Sequence, residues 1–286
     1  MKQLLILSGK GGTGKTTVAG ALIKLSQARA YADCDVDAPN LHLSMAQTAE
    51  AERNDYYGMP KARIDAEICI GCGQCEEHCR FDAISNENGY LVDPFSCEGC
   101  GVCEAVCPVN AIQMHPSVAG EQMLYRSAHS VFSTAQLRMG SGTSGKLVTE
   151  VKKRMLSSLL QETELAIIDG SPGIGCPVIA SMSGVSMVLI VTEPSISGIS
   201  DMERILHTAE IFHTPTCVCA NKADVNSELT EKIKRFCEEK QIPFVGTIPY
   251  DPAAVTAINS GKTIVDLDCP SGRAVREIFA ETMRLL

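Results

Sequence analysis

The 286-residue chain has no apolar run approaching the eighteen or more residues that a membrane-spanning helix needs. Met1-Lys2-Gln3 leads straight into an apolar stretch too short for the core of a secretory signal. Basic density is missing as well. Against 34 Asp and Glu stand 25 Lys and Arg, a net charge of −9, so no nucleic-acid partner is expected, because phosphate contacts need cations. The charged stretches 150–154 and 231–240 mix both signs and read as solvated helix faces. From Gly272 to Leu286 the pattern is helical, but Glu277 and Glu281 offset Arg273, Arg276 and Arg284. That is not the basic face of a membrane-surface helix, so it reads as a helix docked on the protein, with no stable membrane anchor. None of the six histidines falls in a metal-ligand spacing, and His78 reads as a neighbour of Cys79, not a ligand. Together these absences predict a cytoplasmic protein in a reducing compartment, without a disulfide framework.

What the chain has in abundance is cysteine, fourteen in all. Eight form two runs of the same spacing, Cys69-x2-Cys72-x2-Cys75-x3-Cys79 and Cys97-x2-Cys100-x2-Cys103-x3-Cys107, the second followed by Pro108. Gly71-Cys72-Gly73 through Ala83-Ile84 recurs 28 positions later as Gly99-Cys100-Gly101 through Ala111-Ile112. Residues 60–116 resemble the duplicated module of bacterial ferredoxins, which holds two [4Fe–4S] clusters. Three cysteines two residues apart wrap three corners of a cubane, and the last cysteine of the other run closes the fourth. The resemblance implies Cys69, Cys72, Cys75 and Cys107 on one cluster, with Cys97, Cys100, Cys103 and Cys79 on the other. The alternative is a pair of four-cysteine zinc sites, which the even spacing fits poorly, since zinc knuckles want two pairs and a long spacer. Arg80 stands where the second run has Pro108, which places a cation near one of the clusters. Of the remaining cysteines, Cys217 and Cys219 lie on an expected strand and read as small buried residues.

A second signature opens the chain. The apolar Leu4-Leu5-Ile6-Leu7 is followed by Gly9-Lys10-Gly11-Gly12-Thr13-Gly14-Lys15-Thr16-Thr17, then by a helical stretch from Val18 to Gln27. Strand, glycine loop and helix make the context of a phosphate-binding P-loop. The glycines let backbone N–H groups face the phosphates, and the helix N-terminus adds its positive end. Gly11, Gly12, Thr13, Gly14 and Thr17 form the cradle. Lys15 is expected on the β- and γ-phosphates, and Thr16 on Mg2+.

Lys10 is not needed by an ordinary P-loop. Lys-Gly-Gly-Thr-Gly-Lys-Thr-Thr is similar to the loop of the MinD, ParA, Mrp and nitrogenase iron protein ATPases, in which the first lysine reaches a partner subunit's nucleotide. The resemblance extends along the chain. Asp33-Cys34-Asp35 through Leu41 looks like switch I, with Asp35 orienting the attacking water. Leu165 through Asp169 looks like a Walker B strand, with Asp169 reaching Mg2+ through water. Gly170 to Gly175 resembles switch II. Asn221-Lys222-Ala223-Asp224 occupies the base-recognition position, with Asn221 on the base. The implied fold is an α/β P-loop NTPase, a mostly parallel sheet with helices on both faces, formed by residues 1–59 and 117–286 around a small α+β ferredoxin-like insert at 60–116. Within residues 117–145 only 123–125 and 131–132 suggest short strands, and 140–145 reads as a loop.

The resemblance implies an ATP-hydrolysing, Mg2+-dependent iron–sulfur protein. It would act as a homodimer, or as a heterodimer with a related ATPase, and pass electrons to a redox partner protein. Two further functions fit the family: an iron–sulfur cluster carrier of the Mrp type, and a spatial regulator of the MinD type with a redox-sensing insert. Asn221-Lys222-Ala223-Asp224 also fits the Asn-Lys-x-Asp guanine reader of GTPases, so the expectation of adenine rests on the P-loop and switch I. Cys176, seven residues after Asp169, matches the offset of a cluster-ligating cysteine in the nitrogenase iron protein. No second cysteine accompanies it, so it reads either as a small buried residue starting a helix or as a group near the dimer axis.

Overall fold

The computed structural model describes residues 1–47 and 49–286 and divides into two compact units. The larger comprises Met1–Arg53, Met123–Ala135 and Gly145–Leu286; the smaller comprises Asn54–Gln122 and Gln136–Ser144. In chain order the larger unit begins with β1 (Lys2–Ser8), α1 (Lys15–Ser26) and β2 (Ala30–Asp33). The chain then enters β3 (Ala51–Tyr57), β4 (Lys61–Ile64), α2 (Gln74–Glu77), β5 (Ile84–Asn86), β6 (Tyr90–Val92), α3 (Val102–Val106) and β7 (Ile112–His115). It continues through β8 (Val118–Arg126), β9 (Val131–Leu137), α4 (Ser144–Ser157), β10 (Leu165–Pro172), α5 (Cys176–Met182) and β11 (Met187–Thr192). The rest is α6 (Ile196–Ile211), β12 (Thr216–Asn221), α7 (Ser227–Glu239), β13 (Phe244–Ile248), α8 (Ala253–Asn259) and α9 (Pro270–Leu285).

Seven strands of the larger unit pair in parallel, in the order β13-β12-β11-β1-β10-β2-β9. Strands β1, β10, β11 and β12 are largely runs of small and branched apolar residues without alternation, as strands covered on both faces must be. Leu4, Ile6, Leu189, Val191, Cys217 and Cys219 face one layer, in which Val18 and Leu22 of α1 pack with Val275 and Ile278 of α9. The intervening Leu5, Leu7, Val188, Ile190 and Val218 are equally buried, so they face a layer on the other side. The expectation for Cys217 and Cys219 holds, and α9 packs against β13. The P-loop leaves β1, flanked by β10 and β11, at the carboxyl edge where ligands bind in such sheets.

Two expectations need correction. Residues 117–145 hold longer strands than anticipated, since β8 covers 118–126 and β9 covers 131–137. The apolar signal of β8 is broken by Glu121 and Gln122, so only its tail was readable. The stretch 150–154 is also not wholly solvated. Lys152 is buried, and its Nζ donates to the carbonyls of Ser181 and Ser183, each at 2.6 Å. Those carbonyls close the C-terminus of α5, so the cation satisfies acceptors that a helix end leaves open. Burial lowers the Lys152 pKa from its ordinary value.

The smaller unit is assembled from two antiparallel pairs, β4 with β7 and β5 with β6, around a core of Ala62, Cys75, Ala83, Ile84, Cys97 and Ile112. The 28-residue sequence repeat is also a repeat of bonds. Asp65 N–H donates to Ala111 O, and Asp93 N–H to Ala83 O, both at 2.8 Å. Cys69 N–H donates to Asp65 O, and Cys97 N–H to Asp93 O, both at 3.0 Å. Each half therefore anchors its first cysteine through the same aspartate turn.

Candidate functional site: a phosphate cradle and two cysteine cages

In the P-loop, Gly14 lies at φ 89°, where a Cβ would meet Asn221 Nδ2 at 2.2 Å. Only glycine allows both the turn and that approach. Helix α1 starts at the next residue and turns its free N–H groups into a cavity of about 580 Å3. Lys10, Gly11, Gly12, Thr13, Gly14, Lys15, Thr16, Thr17 and Asp35 all line it, with Ser171 and Pro172 opposite. Asn221 instead lines an adjoining cavity of about 280 Å3 with Lys222, Pro249, Tyr250 and Val255. Its Nδ2 donates to Thr13 O at 2.6 Å.

The charges of this cradle are paired with one another. Lys15 Nζ lies 2.5 Å from Asp169 Oδ1 and 3.4 Å from Thr16 Oγ1. Burial pulls the Lys15 pKa down, but the Asp169 carboxylate outweighs it and raises the value overall. Asp169 Oδ2 and Thr13 Oγ1 are buried and without a hydrogen-bond partner among the described residues. An orphaned carboxylate oxygen next to a lysine and a threonine hydroxyl suits a hydrated Mg2+ held with nucleotide phosphates.

Asp33 staples the following loop. Its Oδ1 accepts from Asp35 N–H, and its Oδ2 from the N–H groups of Asn40 and Leu41, all at 3.0 Å. Burial, and then the nearby Asp169, push its pKa up to about 7. Burial likewise raises that of Asp35. Ser171 Oγ donates to Cys34 O at 2.5 Å, joining the turn after β10 to the loop after β2.

Lys10 is held within its own chain. Its Nζ sits 2.5 Å from Glu193 Oε1 and 3.1 Å from Ser197 Oγ. The other Glu193 oxygen faces Lys222 Nζ at 3.5 Å, and that lysine also donates to Gly12 O at 2.9 Å. Burial pushes the Glu193 carboxyl up, but the two lysines hold it below its ordinary value. Sequence reading passed over Glu193 because its partners lie about 180 and 30 residues away and become neighbours only at the sheet edge. Asp224 does not line that adjoining cavity; its Oδ1 accepts Tyr250 N–H at 2.6 Å.

In the smaller unit the eight cysteines sort into two sets. Cys69, Cys72, Cys75 and Cys107 line one small cavity, with Ile64, Tyr90 and Ile112. Cys79, Cys97, Cys100 and Cys103 line another, with Ala62, Ile84 and Val92. Each set takes three cysteines from one run and the fourth from the other. Among the described residues no three His, Cys, Asp or Glu are arranged to hold a metal ion; the eight cysteines come together as linings of these two cavities. Backbone amides aim at the crossing cysteines, Ala83 N–H at Cys79 Sγ (3.4 Å) and Ala111 N–H at Cys107 Sγ (3.2 Å). Four thiols around an apolar space, with amide donors to sulfur, fit a cubane cluster. Burial raises the thiol pKa of Cys75 and of its counterpart Cys103. His78 lines the second cavity, with Nδ1 2.9 Å from Gln74 O, whereas Arg80 is exposed and lines neither.

Residues 4–264 match the family described as the CobQ/CobB/MinD/ParA nucleotide binding domain. This chain belongs to that family. It is 33% identical over 281 residues to the uncharacterized protein MJ0578 of Methanocaldococcus jannaschii, covering 97% of this chain and 95% of that one. An iron-sulfur cluster carrier protein of Pyrococcus furiosus is 23% identical, with 99% of this chain and 86% of that one aligned. The fold matches the septum site-determining protein MinD complexed with Mg-ADP from Pyrococcus horikoshii, at a TM-score of 0.59 and 17% identity over 99% and 96% of the two chains. The chain is therefore a P-loop nucleotide-binding protein of the MinD/ParA type, with a mostly parallel α/β sheet. In this member, Cys176 is the first residue of α5 and is exposed, which overturns its reading as a buried packing residue. No helix among the described residues is long and apolar enough to cross a membrane.

Proposed function

We propose that this protein binds and hydrolyses ATP with Mg2+, and uses nucleotide-dependent pairing of subunits to gate electron transfer through two [4Fe–4S] clusters in an insert spanning residues 60–116. The observation that carries this reading is the sorting of eight cysteines into two cages, each completed by a cysteine from the other run. Cys69, Cys72, Cys75 and Cys107 hold one cluster, and Cys79, Cys97, Cys100 and Cys103 the other. Such clusters supply one-electron storage. Gly11 to Gly14 and Thr17 cradle the phosphates. Lys15 moves from Asp169 onto them, Thr16 and Asp169 hold Mg2+, and Asp35 orients water. Lys10 leaves Glu193 to reach the partner subunit's nucleotide. Asn221 faces an adenine, a reading supported by the engagement of the Asp224 carboxylate with Tyr250 N–H. The partner subunit is a second copy or a related ATPase, and the electrons pass to a redox protein in the cytoplasm.

The test is anaerobic reconstitution followed by analysis of iron and sulfide. About eight of each per chain are expected, and the reoxidation rate should change when ATP is added. Zinc in place of iron, or reoxidation indifferent to ATP, defeats the reading. A cluster carrier is the second reading, favoured by the likeness to the Pyrococcus furiosus carrier protein. Transfer of labelled cluster from this protein to an apo-acceptor would establish it, and retention of both clusters would not.

A further inference from the structure

The two cysteine cages share the aspartate turn and the amide-to-sulfur bonds of the repeat, which makes their differences informative. The 28-residue offset that carries Cys69 onto Cys97 also carries Lys61 onto Gly89. Lys61 opens β4, is half-buried, and donates from Nζ to the carbonyl of Cys97, the first ligand of the second cage. Gly89 offers no side chain to Cys69. One cage thus carries an ammonium fixed to the backbone of a ligand, while the other is lined by Ile64, Tyr90, Ile112 and neighbours with no charged side chain among them. Resting on the cluster reading, the geometry points to Lys61 as the residue that sets the two clusters to different potentials. The cage of Cys79, Cys97, Cys100 and Cys103 is the one reduced first.

Reduction by a one-electron donor adds one negative charge to a cluster and needs no proton. A fixed cation nearby stabilises the reduced form and raises its potential, the more so where low-dielectric packing limits screening. Lys61 reaches the Cys97 backbone from outside the cavity lining, and the exposed Asp93 carboxylate interacts with it; besides the cysteines, the titratable groups in the lining are Glu98 and His78. Glu98 opposes the lysine, but it is exposed, so water screens it, whereas Lys61 is half-buried and bonded. His78 is exposed and engaged with Gln74 O. Arg80, which the sequence places near one of the clusters, is exposed; Lys61 also stays outside the cavity lining but is half-buried and bonded to the Cys97 carbonyl.

Reconstituted protein titrated with dithionite and followed by electron paramagnetic resonance should show two separate one-electron waves. Cys100→Ser, confined to one cage, should perturb the more positive wave and so identify it. Lys61→Met should move that same wave negative by about tenfold in the reduction equilibrium, ~59 mV, and leave the other in place. Lys61→Arg should restore it, and Lys61→Gln serves if the methionine variant does not assemble. A single unresolved wave in the wild type overturns the inference. So does a wave that stays put in Lys61→Met, or a shift in the less positive wave alone. Iron and sulfide counted beforehand separate the failures: a count well short of about eight of each removes the cluster reading and this inference with it. A full count with symmetric waves removes only this inference.

Discussion

The phosphate cradle and the cysteine cages are both built from tight loops with glycines at positive φ, yet they treat their reactive groups in opposite ways. In the cradle the lysines already have protein partners: Lys15 on Asp169, Lys10 and Lys222 on Glu193. In the cages four cysteines line each small cavity, and backbone amides donate to Cys79 Sγ and Cys107 Sγ. The cradle is organised for exchange, because a ligand can displace the stand-in partners and be displaced in turn without stranding a buried charge. The cages suit a ligand that stays, since their donors have no alternative arrangement.

The largest effect that sharpens this contrast is expected at Lys10. Lys10→Ala should still bind ATP but hydrolyse it about 10³-fold more slowly or worse, as removal of a cation supplied in trans does, and should not dimerise with ATP. Wild-type turnover in that variant would show that the Lys10–Glu193 pair is merely structural. Next comes the acid-base behaviour of Asp33. Its native pKa, pushed up to about 7, lies above that of an unfolded aspartate. Between about pH 4 and 7 the unfolded chain releases a proton that the native one keeps, so nucleotide-free stability should fall as pH rises. Urea unfolding of wild type against Asp33→Ala across that range checks it; parallel pH profiles would count against it. Lys15→Ala should weaken ATP binding by roughly 1.5–3 kcal/mol, ten- to a hundredfold in Kd by calorimetry. An unchanged affinity would mean that Asp169 never gives Lys15 up. Smallest of all, Glu193→Gln breaks a half-exposed pair and should alter stability by no more than about 1 kcal/mol. A larger loss in thermal unfolding would make Glu193 a structural residue, not a stand-in.

The parts that were legible in the sequence are those whose chemistry is contiguous. Glycines and lysines from Gly9 to Thr17, and cysteines at fixed intervals, must be neighbours along the chain to wrap one small object, so their spacing carries their geometry. Strands β1, β10 and β12 were readable for the same local reason, being short apolar runs. Strand β3 escaped because Ala-Glu-Arg-Asn-Asp-Tyr-Tyr buries only Tyr56, and pairing alone makes it a strand. Lys152 escaped because its partners at the end of α5 are about 30 residues away, and a buried lysine in a mixed-charge run looks like any other. The exposure of Cys176 also depends on neighbours that no local pattern specifies.

The pairing of β2 with β9 sets a constraint on how the chain reaches this structure. Asp33 lies opposite Thr134, and the connection between these two adjacent parallel strands, residues 34–130, is 97 residues long. Closing so long a connection late is slow, because the entropy of the loop is lost before the strand contacts reward it. On a ribosome adding about 5–20 residues per second, β2 waits several seconds or more for its neighbour, with Ala30 to Asp33 exposed as an unpaired edge. Residues 60–116 emerge within that interval. If they condense first, the loop still to be closed is shorter, and the nucleotide-binding sheet inherits a connection already half gathered. Order of synthesis is then coupled to the solubility of the nascent chain, long before any nucleotide is bound.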